Sequence, residues 1–174
     1  TGLPPEYDED EARRIAEAIH KLGLRYAVIT SVDRDDLEDG GAFIFAETIR
    51  RTREACPDIR LEVLIPDFRG NLESLGKVVK AQPDVLGHNV ETVPRLYPKV
   101  RAGSSYRRSL EHLRNAKSFG IPVTTKSGLM LGLGESDDEV RAVLRDLRDF
   151  DVDIVTIGQY LQPTREHLAV ERFY

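Results

Sequence analysis

Arg25-Tyr26-Ala27-Val28-Ile29-Thr30-Ser31 runs without a break into Val32-Asp33-Arg34-Asp35-Asp36-Leu37-Glu38-Asp39-Gly40-Gly41. The first part is apolar and rich in β-branched residues, the pattern of a buried strand. The second part is a polar loop that closes on a glycine pair. Connecting loops have a median length of about 4–6 residues. This one is longer and carries five carboxylates and one guanidinium. Parallel α/β proteins keep their chemistry at the carboxyl ends of strands, so this loop marks the functional end of the fold.

Working outward, strand-like runs recur near residues 25–31, 60–65, 84–88, 123–131 and 153–159. Helical patterns alternate with them. A first helix is expected over Asp8–Leu22, with Ala12, Ile15, Ile19 and Leu22 on one stripe and Asp8 with Glu11 as a weak capping box. Phe45, Ile49, Thr52 and Cys56 form a second stripe, and Leu72, Leu75 and Val79 a third. Tyr106, Leu110 and Leu113 mark a fourth helix, ended by Gly120-Ile121-Pro122. Val140, Val143, Leu144 and Leu147 mark a fifth, opened by a Ser136–Glu139 capping box. This βα alternation predicts parallel strands with right-handed crossovers in one domain over residues 1–174. Five strands are too few to close an eight-stranded barrel, which takes roughly 250 residues. A five-stranded flavodoxin-like sheet fits the count as well.

The 174 residues are 40% hydrophobic and 32% charged, with a net charge of −5, a globular composition. The acidic balance argues against a nucleic-acid partner, which needs basic groups for phosphates. No apolar run approaches the ~20 residues of a membrane helix. The lone cysteine, Cys56, excludes an internal disulfide and points to a reducing compartment. It reads as a small packed residue, and one thiolate supplies neither a cluster nor a structural zinc site.

The carboxylates at 33–39 do not fit a calcium loop: Leu37 stands where a ligand is required and Glu38 where the glycine belongs. They read either as solvated and helix-capping groups or, with Thr30, Ser31 and Asp33, as the mouth of a site. His88-Asn89-Val90-Glu91 ends the third strand, and alternation puts Asn89 and Glu91 on one face. An amide beside a carboxylate suits sugar hydroxyls, while a helix cap explains the pair equally well. His20, His112 and His167 read as surface residues. The 132–135 stretch fails both the dinucleotide and the phosphate-loop patterns. Glu135 reads as a helix-start residue. Lys126 lies in an apolar strand and needs an anionic partner, either bound carboxylate or buried Glu or Asp. Gln159, Tyr160 and Gln162 stand at the last strand tip, where Tyr160 packs on a ligand or at the core edge. Arg95, Lys99, Arg101, Arg107 and Arg108 form a basic stretch, either a solvated face or a surface that steers an acidic partner.

Five blocks stand out: Val28-Ile29-Thr30-Ser31-Val32-Asp33-Arg34-Asp35-Asp36-Leu37 with Asp39-Gly40-Gly41 after it, Glu62-Val63-Leu64-Ile65-Pro66-Asp67-Phe68-Arg69-Gly70, His88-Asn89-Val90-Glu91-Thr92-Val93-Pro94-Arg95-Leu96, Thr125-Lys126-Ser127-Gly128-Leu129-Met130-Leu131-Gly132-Leu133-Gly134-Glu135, and Thr156-Ile157-Gly158-Gln159-Tyr160-Leu161-Gln162-Pro163. In these blocks the chain resembles the lipoyl synthases, which are radical S-adenosylmethionine enzymes. Together the blocks span nearly the whole chain. The resemblance implies a partial (βα)6 barrel with strands two to six present. It also implies S-adenosylmethionine and two [4Fe–4S] clusters as cofactors, and octanoylated lipoyl carrier domains as partners. Thr30, Ser31, Asp33, Asn89, Glu91, Lys126, Gln159 and Tyr160 would then bind the cofactor, Lys126 through its carboxylate. Arg95, Arg101 and Arg107 would meet the carrier. Gly40-Gly41 resembles, without the usual following glutamate, a glycine turn that receives the methionyl ammonium.

The family's two cysteine triplets and its C-terminal serine motif are not in the sequence. The chain is therefore expected to be an internal piece of such an enzyme, or the ordered part of a longer one. It is expected to bind no cluster and form no lipoyl groups alone. The expected compartment is the cytoplasm, or an organelle where a transit peptide has been removed. Two other readings stay open: a catalytically silent module that docks carrier domains, and an aldolase-like enzyme using Lys126 as a Schiff base.

Overall fold

The computed structural model describes residue 8 and residues 10–174. Its elements run α1 (Glu11–Leu22), β1 (Tyr26–Thr30), α2 (Ala42–Ala55), β2 (Arg60–Leu64), α3 (Leu72–Lys80), β3 (Val85–Gly87), α4 (Tyr97–Val100), α5 (Tyr106–Lys117), β4 (Thr124–Leu131), α6 (Asp137–Asp149) and β5 (Ile154–Gln159). Short 3₁₀ turns at Phe68–Gly70 and Pro94–Leu96 join them. Every predicted strand and long helix is present.

The five strands are all parallel and lie in the order β1-β2-β3-β4-β5. That order decides between the two readings left open by the strand count. A doubly wound sheet reverses direction at a switch point, whereas consecutive order with right-handed crossovers places every helix on one face, as in a barrel wall. Leu61, Val63, Leu86 and Leu129 point toward the helices and are buried against Ile49, Leu75, Leu113 and Leu147. Burying each such side chain stabilises the fold by about 1.5–3 kcal/mol. The other face carries Val28 (56% exposed) and Ile154 (40%). The strands are therefore not buried on both faces, as their apolar runs suggest.

Local signals account for most helix ends. Ser136 and Glu139 form the expected reciprocal capping box. Asp39, one of the loop carboxylates, accepts from the Gly41 and Phe43 amides at 3.1 Å and pairs with Lys77. Gly41, at φ 82°, supplies the left-handed entry to α2. The expected Asp8–Glu11 box does not form. The Asp8 carboxylate accepts from the Asp10 amide at 2.9 Å, a local turn that spends it before the helix begins at Glu11.

The surface placement of His112 is also overturned. His112 is 3% exposed and lies edge-on between His88 and Phe68. The buried stripe of α5 includes Ser109, Leu110, His112, Leu113 and Ala116, wider than the three apolar residues alone.

Candidate functional site

The tip of β3 departs from regular pairing. Gly87 pairs with Lys126, whereas Glu91 bridges Leu129, so four steps on one side match three on the other. This is a β-bulge, the device that re-aims side chains at barrel rims. Glu91 absorbs it with φ 64°. Its amide donates to the Gly128 carbonyl at 2.9 Å and its carbonyl accepts from Met130 at 2.8 Å. The Val90 amide, displaced from the ladder, donates to Ser127 Oγ. Simple alternation thus fails at this tip, yet Asn89 and Glu91 both reach the same cleft.

The bulge is held from one side by the segment that follows it. Arg101 Nη1 donates to the Asn89 carbonyl at 2.7 Å and Tyr97 Oη to the Val90 carbonyl at 2.7 Å. The Asn89 amide lies over Gly128, where a Cβ would come within 2.7 Å of its Oδ1.

A cleft of about 230 Å³ opens at these strand tips. Thr30, Ser31, Asp33, Asn89 and Glu91 line it, together with Leu64, Ile65, Pro66, His88 and Arg101. Five of the eight sequence-predicted cofactor residues therefore converge. Burial, and then the neighbouring Asp35 and Asp67 carboxylates, push the Asp33 carboxyl above the usual carboxylate range. Asp35 pairs with Arg69, and Asp67 with Arg108 at 2.6 Å. Arg101, read from sequence as part of a basic surface, instead faces this cleft. Nothing in a run of basic residues distinguishes one whose carbonyl partner lies twelve positions back.

Lys126 is on the same sheet face but nearer the strand start, level with Gly87. Its Nζ is 2.7 Å from Glu62 Oε1, and Glu62 also accepts from Tyr26 Oη. That hydrogen bond pushes the Tyr26 hydroxyl up to about 12. Of the two partners open to Lys126, the structure supplies the buried glutamate. Glu62→Gln leaves the ammonium without its counter-charge. Lys126 is 25% exposed and can swing toward the open face, so the expected loss is about 1–2 kcal/mol, below that of a fully buried pair. Urea unfolding checks this, and Glu62→Gln with Lys126→Met is expected to recover most of the loss.

The last strand tip forms a separate cluster. Gln159 Nε2 donates to the carbonyls of Leu131, Tyr160 and Arg172, and Tyr160 Oη to that of Leu168 at 2.8 Å. Both side chains hold the final segment rather than lining the cleft. Arg95 is bound to Glu139 and the Gly134 carbonyl, while Arg107 pairs with Glu111 and lies over Phe150. Glu135 is buried before α6, where it accepts from the Gly132 and Leu133 amides. Gly40 and Gly41 pack on Phe68 and Arg34. A larger groove of about 1070 Å³ between α2 and α3 sits in the outer helix layer. Its walls include Arg50, held by Glu47 and Glu54, and Lys77, held by Asp39. It lacks the convergent strand tips that make the smaller cleft a candidate site.

Comparison with known proteins agrees with this fold. A family model described as the radical SAM superfamily matches residues 1–147. The chain is 55% identical over all 174 residues to the lipoyl synthase of Rubrobacter xylanophilus, covering 54% of that protein. It is 56% identical to the lipoyl synthase of Thiobacillus denitrificans, over 99% of this chain and 55% of that one. The chain thus spans about half the length of the curated relatives it matches. Among solved structures, methylornithine synthase superposes with a TM-score of 0.73 at 18% identity, over 99% of this chain and 49% of that one. HydG, a maturase of the [FeFe]-hydrogenase, gives 0.73 at 18% identity over 95% and 38%. These likenesses show the fold, a partial barrel. The chain belongs to the radical SAM superfamily.

Proposed function

We propose that this chain is the cofactor-binding wall of a lipoyl synthase, which inserts two sulfur atoms into a carrier-bound octanoyl chain. The observation that carries the reading is the convergence of Thr30, Ser31, Asp33, Asn89 and Glu91 on one cleft, in a chain that resembles lipoyl synthases from end to end. Membership of the superfamily brings S-adenosylmethionine and a [4Fe–4S] cluster. The cleft residues fit the first. Hydroxyls, an amide and a carboxylate suit ribose, and Asp33 with Arg101 offers opposite charges to a methionyl zwitterion. Gly128 leaves the space in which Asn89 lies.

The residues present do not fit the cluster. Cys56 caps the end of α2, before β2 begins, at the amino ends of the strands and so at the end of the sheet opposite the cleft. Its Sγ lies 3.6 Å from His20 Nδ1. When bound, S-adenosylmethionine supplies the hydrogen-abstracting chemistry. The part played by this chain is to orient the cofactor and, through Leu64, Ile65 and Pro66, to keep water from one side of it. Arg101, rather than Lys126, is the cation that faces the methionyl end. Arg95 and Arg107, 57% and 68% exposed, are what the surface offers an acidic carrier domain. Among the described residues, no helix is long and apolar enough to cross a membrane.

The aldolase-like reading finds no support, because Lys126 Nζ is engaged by Glu62 rather than presented to a carbonyl substrate. The test uses the intact protein that carries this chain, reconstituted anaerobically and given S-adenosylmethionine, reductant and an octanoylated carrier domain. Mass spectrometry is expected to show two added sulfur atoms. Cofactor cleavage with the octanoyl chain unchanged would overturn the lipoyl assignment. A protein that binds the carrier but takes up no iron would favour the silent docking module.

A further inference from the structure

The β2–β3 ladder stops where the cleft begins. Leu64 pairs with Gly87, and the Ile65 amide donates to the Gly87 carbonyl at 3.0 Å. In a continuing parallel ladder the next rung would run from the Asn89 amide to the Ile65 carbonyl. The Ile65 carbonyl is instead met by Nδ1 of His88 at 2.9 Å. A carbonyl only accepts, so Nδ1 carries the proton. In the neutral ring Nε2 is then an acceptor, and Ser109 Oγ of α5 donates to it at 3.0 Å. The ring is 2% exposed, and burial holds it neutral, its pKa pushed down to about 4.

We propose that His88 is a positioning residue for the cleft: its Nδ1–H stands in for the missing rung. It thereby lets the tips of β2 and β3 part around a ligand while staying in fixed relation. One wall of the cleft is Leu64-Ile65-Pro66, and the other carries Asn89 and Glu91. His88 joins the two and anchors both to α5 through Ser109. Without that bond the Ile65 carbonyl would be left buried and unpaired, or the tips would close together. The inference rests on the reading of the cleft as an S-adenosylmethionine site.

Three variants of the intact protein test it, with S-adenosylmethionine as probe and equilibrium binding as the readout. His88→Asn keeps a donor near the place of Nδ1. His88→Gln carries its amide toward the place of Nε2, and His88→Leu removes both bonds. The dissociation constant is expected to rise about 10- to 100-fold in the Leu and Gln variants, the scale of an ångström-level misplacement. The Asn variant is expected to stay within about threefold of the parent, whatever its melting temperature. A packing role alone would lower the melting temperature while leaving the dissociation constant unmoved, and that result would overturn the proposal. So would an Asn variant that binds no better than Gln. If the Leu variant does not fold, the Asn–Gln comparison decides. A parent protein that binds no S-adenosylmethionine overturns the functional reading itself, whereas a binding parent with equal variants overturns this inference alone.

Discussion

Gly128→Ala in the intact protein is expected to weaken S-adenosylmethionine binding about tenfold, and Gly128→Val about a hundredfold. The backbone tolerates both side chains, because Gly128 is not among the positive-φ glycines and sits within β4. The cost comes from space. A Cβ there would stand 2.7 Å from Asn89 Oδ1 and 2.9 Å from its Cγ. Asn89 is short, and its main chain is fixed by Arg101 and by the bulge, so its amide has to leave the place it occupies in the cleft. Isothermal titration checks the affinity, and far-ultraviolet circular dichroism checks that β4 survives. Unchanged affinity in the Val variant would show that Asn89 does not contact the cofactor.

Acid is expected to destabilise the fold well before its carboxylates titrate. Burial drives His88 to about 4 and His112 to about 3, against an ordinary value of 6.5. As pH falls through 6.5 the unfolded chain takes up two protons that the folded chain refuses, so stability is whole above that point and drops below it. By pH 5 each histidine accounts for about 2 kcal/mol, and the pair for about 4 kcal/mol. The paired carboxylates act lower. Asp67, Asp84 and Asp153 are held below their ordinary value, so their contribution is present above about pH 4 and is lost as pH falls further.

His112→Leu separates the two windows. His112 Nε2 is buried without a hydrogen-bond partner, so its loss costs nothing in hydrogen bonding. Stability at pH 7.5 is expected to stay within about 1 kcal/mol of the parent, while at pH 5 the variant gains about 2 kcal/mol relative to it. Urea unfolding at the two pH values provides the check. Equal slopes of stability against pH in parent and variant would exclude His112 as a source of the loss.

These cases show what a linear sequence carries and what it does not. The strands at 26–30, 60–64, 85–87, 124–131 and 154–159 were legible because apolar β-branched runs bounded by glycine, proline and charge have few other outcomes. The turns at 68–70 and 94–96 and the short α4 were not, since three or four residues are too few to show a period. Thr30, Ser31, Asp33, Asn89 and Glu91 were found because polar residues at strand tips have a topological meaning. The bulge at Asn89–Glu91 was invisible because one extra residue shows only against its partner strand. Lys126 lay in a recognisable place, but its partner Glu62 sits 64 positions away, and only the register of three adjacent strands brings the two together. Gln159 and Tyr160 were read as lining the site, yet their polar atoms hold the chain that follows β5.

The most direct measurement is a crystal structure of the intact protein with S-adenosylmethionine bound. The ribose hydroxyls are expected within hydrogen-bond distance of Asn89 and Glu91, with the methionyl end between Asp33 and Arg101. Cofactor density in the α2–α3 groove or at the amino ends of the strands, with the strand-tip cleft empty, would contradict it.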